Sequence, residues 1–119
     1  MTETSNSKQY DLEDRTLKFA QDVSAYIRNL PKTITNIEYA KQLARSSGSV
    51  GANYIEANES LSKKDFVLRV KICRKEVKES RYWLNLTEPQ TSKEKEKQLL
   101  IAESNELMKI FGAILEKCK

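Results

Sequence analysis

The side chains able to do chemistry in this chain of 119 residues are limited by one absence, since the sequence contains no histidine. Without histidine there is no Ser-His-Asp or Cys-His nucleophilic site, no usual zinc site and no Glu-x-x-His pair of a di-iron bundle. Carboxylates do recur at helical spacing, as at Glu76 and Glu79, but such pairs are usually solvated helix surface. Cys73 falls in an apolar stripe, which is typical of a buried side chain. We therefore expect no catalytic residue, no metal and no cofactor.

A basic stripe on the third predicted helix is the clearest charge feature. Its five members project from one side of that helix, roughly opposite the apolar side: Lys64, Lys71, Arg74, Lys75 and Lys78. From Lys63 to Arg81 there are eight basic and three acidic residues, a net +5, whereas the whole chain carries 21 − 17 = +4. The stripe favours contact with nucleic-acid phosphates, and a solvated helix surface is an equally good interpretation for one monomer. A symmetric oligomer would multiply such contacts.

The same helix carries a second apolar group. Leu68, Ile72 and Trp83 lie away from the first apolar stripe, and a helix with two apolar faces needs two partners. One partner is the core of the chain, and a neighbouring subunit would be the other. Tyr82 beside Trp83 favours that interpretation, because aromatic residues are enriched at interface centres. The alternative is that this helix is the most buried of the set.

Polar side chains, most of them short, line one side of the second predicted helix: Gln42, Arg45, Ser46, Ser49, Asn53 and Glu56. Such a stripe suits a polar contact between helices or the wall of a central channel, with Arg45 and Glu56 as candidate ion-pair partners, and ordinary surface is the alternative. Gly48 and Gly51 lie within this helix, where each costs about 1 kcal/mol relative to alanine. Because neighbouring residues are also small, we expect close packing there rather than a kink.

The elements that must position these side chains are helices. Only 3 glycines and 2 prolines punctuate the chain, too few for a β-sandwich or barrel. Apolar residues recur every three or four positions in four segments, over residues 12–30, 37–61, 66–84 and 99–115. Pro31 and Pro89 end the first and third. Ser62–Asp65 and Thr91–Glu94 resemble capping boxes before the third and fourth. This order predicts an all-α, antiparallel up-and-down four-helix bundle.

The sequence predicts one domain with a polar extension. Residues 1–10 are polar and aperiodic, so we expect a flexible tail there and the bundle domain over residues 11–119. No segment approaches the ~20 apolar residues of a membrane span, and the N-terminus lacks the apolar region of a secretion signal. The two widely spaced cysteines mark no extracellular disulfide framework. We expect a cytoplasmic protein that does not associate with membranes.

One run in the second helix carries a family resemblance. The run QLARSSGSVGANYIEA extends from Gln42 to Ala57 and is preceded by Leu30-Pro31-Lys32. It resembles the signature of the bacterial four-helix bundle proteins encoded in 23S ribosomal RNA intervening sequences. Lys64-Asp65-Phe66 and the run from Glu79 to Leu84 are also similar to that family.

This resemblance implies a ring-like homopentamer. It also implies kinship with the accessory variability proteins of diversity-generating retroelements, which are basic pentamers that bind nucleic acid and a reverse transcriptase. On this basis the basic stripe would bind phosphates, while Arg45, Ser49, Asn53 and Glu56 would serve the fold or the assembly. The leading hypothesis is a non-enzymatic homo-oligomer that associates with RNA or DNA through the basic stripe. The alternative is a scaffold whose partner is a protein, in which the charges serve solubility and steering.

Overall fold

Four α-helices form the computed structural model, which describes the backbone of residues 3–119 and the side chains of residues 12–119. They are α1 (Glu3–Arg28), α2 (Ile34–Asn58), α3 (Lys63–Leu86) and α4 (Glu94–Lys117), with a short 3₁₀ helix at Thr91–Lys93. The most extensive contact joins α2 to α3, followed by α3 with α4 and α1 with α2, and α1 meets α4 over a smaller contact. The predicted all-α four-helix bundle is confirmed, because each helix packs against its neighbours in sequence.

Hydrogen bonds near the two ends of the bundle show the antiparallel arrangement. The buried Asn36 side chain donates from Nδ2 to the Pro31 carbonyl at 2.9 Å and to the Glu88 carbonyl at 3.0 Å, and its Oδ1 accepts from the Glu88 N–H at 2.9 Å. The α1–α2 and α3–α4 connections therefore lie at the same end. Towards the other end, Asn58 Nδ2 donates to Glu13 Oε2 at 2.7 Å, which joins the end of α2 to the first half of α1.

The core lies along the inward sides of all four helices. Its largest fully buried apolar side chains are Phe19, Val23, Leu43, Val50, Val70, Val77, Leu84, Leu107 and Phe111. A small polar contact crosses between α2 and α3, where Ser80 Oγ donates to Ser46 Oγ at 2.9 Å. Because both serines are small and each is satisfied by the other, α2 and α3 approach closely without leaving these hydroxyls unpaired.

Side-chain caps explain where α2 and α3 begin. Thr33 Oγ1 accepts from the Asn36 N–H at 3.1 Å, and Ser62 Oγ accepts from the Asp65 N–H at 3.1 Å. Each bond satisfies one of the backbone donors that a helix N-terminus leaves without an intrahelical partner. The start signal predicted at Ser62–Asp65 is confirmed by the Ser62 cap.

Two predicted boundaries are wrong. The capping box expected at Thr91–Glu94 does not form, because Thr91–Lys93 makes the 3₁₀ helix and α4 begins at Glu94 without a side-chain cap. The second helix ends at Asn58 rather than at Leu61, which is 99% exposed in the following connection. Leu61 directly precedes Ser62, the N-cap residue of α3.

Four apolar residues of the segments in which apolar residues recur lie at the surface rather than in the core. They are between 42% and 59% exposed: Leu17, Ile37, Ile55 and Leu99. Each is adjacent in sequence to a buried residue, as Ile55 is to Tyr54. One position along an α-helix turns a side chain by about 100°, so these residues rotate out of the core.

The two glycines of α2 differ in their surroundings. A Cβ added to Gly51 would lie 3.0 Å from Thr16 Oγ1 of α1, whereas a Cβ at Gly48 would meet nothing within 4 Å. The expected close packing is confirmed at Gly51 and wrong at Gly48. Gly51 therefore lets α1 approach α2, and Gly48 faces open space.

The N-terminal segment is described in part. The helix α1 begins at Glu3, within the stretch for which the sequence predicts a flexible tail. The side chains of residues 1–11 lie outside the described part of the chain. The tail and its boundary with the bundle domain at residue 11 therefore stay a prediction.

Candidate nucleic-acid interface on α3

The basic stripe lies on the outer side of α3. All five of its side chains are exposed: Lys64, Lys71, Arg74, Lys75 and Lys78. The opposite side faces the core through Val70, Cys73, Val77 and Leu84, each fully buried. With 3.6 residues per turn, the stripe positions fall on the far side of the helix from these core positions. Their exposure is what phosphate contact requires, and their role in binding stays a prediction.

Most of the stripe is not neutralised by acidic neighbours. Among the residues with described side chains, no carboxylate oxygen lies within 4.0 Å of the charged nitrogens of Lys64, Lys71, Arg74 and Lys78. The fifth member, Lys75, has its Nζ 3.9 Å from Glu76 Oε2. Elsewhere, lysines pair at 2.9–3.6 Å with acidic residues three or four positions away: Lys18, Lys41, Lys93, Lys109 and Lys119. The stripe is a patch of largely uncompensated positive charge.

Arg45 of α2 reaches α3 beside the stripe. Its Nη2 donates to Glu79 Oε1 at 3.0 Å, and its Nη1 lies 3.6 Å from Glu76 Oε1. Arg45 and Glu56, the candidate ion-pair partners, do not pair with each other among the described residues of the chain. Those two residues are three turns apart on α2, about 16 Å along the axis, so their side chains do not meet. Arg45 instead joins α2 to α3 and partly neutralises two glutamates.

Glu76 is a buried carboxylate, and its assignment to solvated surface is wrong. The side chain is only 8% exposed, and Oε1 accepts no hydrogen bond among the described residues. Burial raises the pKa of Glu76 and the charge of Glu79 raises it further, while Arg45 and Lys75 lower it. No signal in the sequence separates it from exposed glutamates, because its burial depends on how closely α2 packs.

The short polar stripe of α2 makes its contacts within the chain. Asn53 Oδ1 accepts from Arg69 Nη1 of α3 at 3.0 Å, and Asn53 Nδ2 donates to the Ser49 carbonyl at 2.9 Å. Together with the Arg45 pair, this gives the polar contact between helices that the sequence suggested. Glu56 is exposed and projects from the same side of α2. A part for Arg45, Ser49, Asn53 and Glu56 in an assembly stays a prediction.

The second apolar group of α3 divides into two environments. Leu68 is 55% exposed, whereas Ile72 is half-buried. Trp83 already has a partner in the chain, since its ring stacks on Tyr39 of α2 with centroids 6.1 Å apart and an interplanar angle of 30°. Leu68 therefore remains the most exposed member, and a subunit contact at Leu68, Ile72 and Trp83 stays a prediction.

A groove between α2 and α3 lies beside the C-terminal part of the stripe. It has a volume of about 470 Å³ and is lined by Gln42, Arg45, Lys75, Lys78, Glu79, Tyr82 and Trp83. We call it the α2/α3 groove. Tyr82 is 58% exposed there, and its ring meets Trp83 edge-on at 5.0 Å between centroids. The groove thus combines three cationic side chains with an accessible aromatic ring, a combination that the sequence suggested only in separate parts.

The remaining chemistry of the described residues is sparse. Cys73 is buried, its Sγ lies 3.4 Å from the Val50 carbonyl as a hydrogen-bond donor, and burial raises the pKa of the thiol to about 12. Cys73 is therefore an unreactive core side chain, as the sequence predicted. Within the described range, no group of three or more His, Cys, Asp or Glu residues could hold a metal ion. In that same range no helix has the length and apolar character to cross a bilayer.

Comparisons with known proteins find similarity in sequence and in fold. The family model described as 23S rRNA-intervening sequence protein matches residues 8–113, which include the basic stripe and the α2/α3 groove. The crystal structure of a protein with unknown function from the S23 ribosomal protein family of Bacteroides thetaiotaomicron is 28% identical, with a TM-score of 0.72. The alignment covers 87% of this chain and 96% of that one. No curated protein matches.

Proposed function

Starting from the fact that the chain belongs to the 23S rRNA-intervening sequence protein family, we propose that it is a non-enzymatic homo-oligomer that binds RNA or DNA through the basic stripe of α3. The observation that carries the proposal is the missing neutralisation of the stripe. Four exposed cations on one side of a helix have no carboxylate partner among the described residues. Such charges bind phosphates by releasing counterions, without reading base sequence.

Oligomerisation is part of the proposal because it would repeat the stripe. A net charge of +4 gives one chain a small electrostatic footprint, and repetition of the stripe on several subunits raises the affinity through multiple contacts. The partly exposed Leu68 and Ile72 support a subunit contact, since exposed apolar groups on one helix face favour association. We propose a cytoplasmic location, which the two free cysteines support.

The binding test compares two matched double variants. Lys71→Glu with Lys75→Glu reverses charge on the stripe, and Lys95→Glu with Lys117→Glu reverses the same charge at exposed positions of α4. Binding to labelled RNA and DNA of about 20 nucleotides is measured by fluorescence anisotropy at about 50 mM salt. We expect the stripe variant to bind at least about tenfold more weakly and the α4 variant to change by less than about threefold.

The matched design separates local from overall charge, because both variants lower the net charge from +4 to 0. Equal losses in the two variants would show that overall charge, and not the stripe, governs binding. Absence of binding by the wild-type chain at low salt would refute the proposal. A protein partner recovered after nuclease treatment from the same sample would then favour the scaffold alternative.

Assembly is tested separately by light scattering coupled to size-exclusion chromatography. One chain has a mass of 13.7 kDa, and the family resemblance implies a fivefold multiple. We expect Leu68→Glu to lower the mass of the particle, since a buried unpaired charge disfavours a subunit contact. A wild-type mass equal to one chain at micromolar concentration would contradict the oligomer.

A further inference from the structure

We infer that the α2/α3 groove binds single-stranded nucleic acid, with an unpaired base stacked on Tyr82 and the adjoining phosphates held by Lys75 and Lys78. This inference rests on the proposed function and specifies its ligand: a single strand rather than a duplex. It also assigns a contact to Tyr82, an aromatic residue outside the basic stripe.

Helix geometry places the ring in line with the stripe. Tyr82 follows Lys78 by four positions and Lys75 by seven, so all three side chains project from one face of α3. Lys75 and Lys78 belong both to the stripe and to the wall of the groove. A strand that lies along the stripe therefore reaches Tyr82 without leaving the positively charged surface.

The ring of Tyr82 contacts a second aromatic ring and is still more than half exposed. Trp83 meets it edge-on at 5.0 Å, and Trp83 is itself stacked on Tyr39 of α2 at 6.1 Å. These contacts restrain the side chain, while 58% of Tyr82 stays accessible. Fixed, accessible aromatic rings beside cations are the usual platforms for bases of single strands, because every base has a π-face.

The charge of the groove favours a phosphate backbone. Arg45, Lys75 and Lys78 line the groove with one partly exposed acid, Glu79, which is already paired with Arg45 at 3.0 Å. Glu76 lies beneath the surface at 8% exposure, with Oε1 3.6 Å from Arg45 Nη1 and Oε2 3.9 Å from Lys75 Nζ. The accessible cations at the rim are therefore the two lysines that continue the stripe.

The exposed aromatic ring discriminates between single strands and duplexes. In a duplex the faces of the bases are covered by neighbouring bases, so Tyr82 has nothing to stack on. In a single strand or a loop the bases can be splayed out and stacked on an aromatic side chain. Phosphate contacts from the stripe are available to both forms, and the stacking contact only to the first.

Intrinsic fluorescence gives a direct measurement, because Trp83 is the single tryptophan of the chain and adjoins Tyr82. The full chain is titrated with an oligouridylate of about 20 nucleotides and with an RNA duplex of the same length. We expect stronger quenching and tighter binding with the single strand. Tyr82→Ala should weaken single-strand binding at least about fivefold and leave duplex binding unchanged, while Tyr82→Phe, which keeps the ring, should retain the affinity.

Two controls keep a structural effect apart from a contact. Leu99→Ala removes an apolar side chain of similar exposure, 59%, from α4 and should leave both titrations unchanged. Tyr82→Ala should also leave the salt dependence of binding unaltered, since it removes no cation, whereas Lys75→Ala should reduce it. Weaker duplex binding in Tyr82→Ala would indicate a general disturbance of the groove and would overturn the inference.

The outcomes distinguish this inference from the proposed function. Equal affinity for single strand and duplex, with no effect of Tyr82→Ala, would refute the stacking site and leave binding through the stripe intact. Binding of neither form would refute both. Tyr82-dependent preference for the single strand, in DNA as well as RNA, would establish the site, because the stacking contact does not require the 2′-hydroxyl.

Discussion

The third and fourth helices have the same length but opposite outer surfaces. Each has 24 residues and buries an apolar side in the same core. α3 carries eight basic and three acidic residues, a net +5, whereas α4 carries four basic and five acidic residues, a net −1. On α4, Lys109 pairs with Glu106 at 3.6 Å. On α3, Lys75 lies 3.9 Å from Glu76, and the other stripe cations have no acidic partner among the described residues.

This difference separates what the fold requires from what it does not. The bundle needs the inward sides of both helices, because burial of apolar area is the main stabilising term. It does not need the charge on the outer side of α3, and clustered like charges there oppose folding by a small amount. The positive charge on the outer side of α3 is mostly unpaired, and the fold does not need it. We therefore look for the function on α3.

Substitutions in the buried sides of α3 and α4 should lower the stability of the chain to a similar degree. These are the largest effects that we expect. Leu84 of α3 and Leu107 of α4 are both fully buried. Either substitution by alanine should lower the free energy of unfolding by about 2–5 kcal/mol, because it removes apolar contacts and leaves a cavity. Urea unfolding followed by far-UV circular dichroism, at one fixed protein concentration, measures both. A loss below about 1 kcal/mol for Leu84→Ala alone would show that α3 is not an equal partner in the core.

The outer sides should differ in the salt dependence of nucleic-acid binding. Lys71→Gln removes one stripe cation, and Lys117→Gln removes one exposed cation of α4. We expect the slope of log K against log salt to fall by about 0.7–0.9 for Lys71→Gln and to stay the same for Lys117→Gln. Titrations at several salt concentrations give the slopes. Equal slopes in the two variants would remove the functional distinction between the helices.

Glu76 gives α3 a contribution to stability that depends on pH. Because burial raises its pKa, the folded chain holds this proton in a range where the unfolded chain has lost it. The contribution of the protonated Glu76 to the free energy of unfolding is therefore fully present below its ordinary pKa of 4.5. It is lost as the pH rises through the pKa of Glu76 in the folded chain. Glu76→Gln should raise the free energy of unfolding at neutral pH by about 1 kcal/mol, since a buried charge is removed.

Urea unfolding between about pH 4 and pH 7 tests this sign. The advantage of Glu76→Gln over the wild-type chain should shrink as the pH falls. Glu116→Gln, at an exposed position of α4, is the control for the same substitution at the surface. A variant less stable than the wild type at neutral pH would mean that the ion pair with Arg45 outweighs the penalty of burial.

The architecture was predictable because the signals for it are local. Recurrence every three or four residues identified all four helices, and the caps at Thr33 and Ser62 act within one turn. What the sequence did not predict depends on contacts between residues that are far apart along the chain. The Asn36 side chain bonds to Glu88, 52 positions away, and to Pro31, and so joins the two connections at one end of the bundle. Nothing near Asn36 in the sequence indicates that partner.

The candidate site was predictable to the same extent. The placement of the basic stripe follows from spacing along one helix, so its five residues emerged from the sequence alone. The partner of Arg45 did not, because it depends on the register of α2 against α3. The α2/α3 groove was missed as a unit for the same reason: Gln42 and Arg45 come from one helix, and Lys78 and Tyr82 from the other.

The smallest effect that we expect is a change in the free energy of unfolding, and its sign should differ between lysine substitutions on α4 and on α3. Lys109→Gln breaks an exposed pair on α4, in which the side chains are 76% and 55% exposed. It should lower the free energy of unfolding by at most about 0.5 kcal/mol. Lys71→Gln has no ion pair to break among the described residues, and it relieves repulsion from Lys75 four positions away. It should leave stability unchanged or raise it by a similarly small amount.

Urea unfolding of both variants at low and high salt tests these signs. Salt screens exposed charges, so the difference in free energy of unfolding between each variant and the wild type should approach zero at high salt. A loss of stability in Lys71→Gln that persists at high salt would show that the lysine packs its aliphatic part against the bundle. The outer side of α3 would then serve the fold as that of α4 does. The opposite signs expected at low salt would instead mean that the chain keeps its stripe at a small cost in stability, as binding surfaces commonly do.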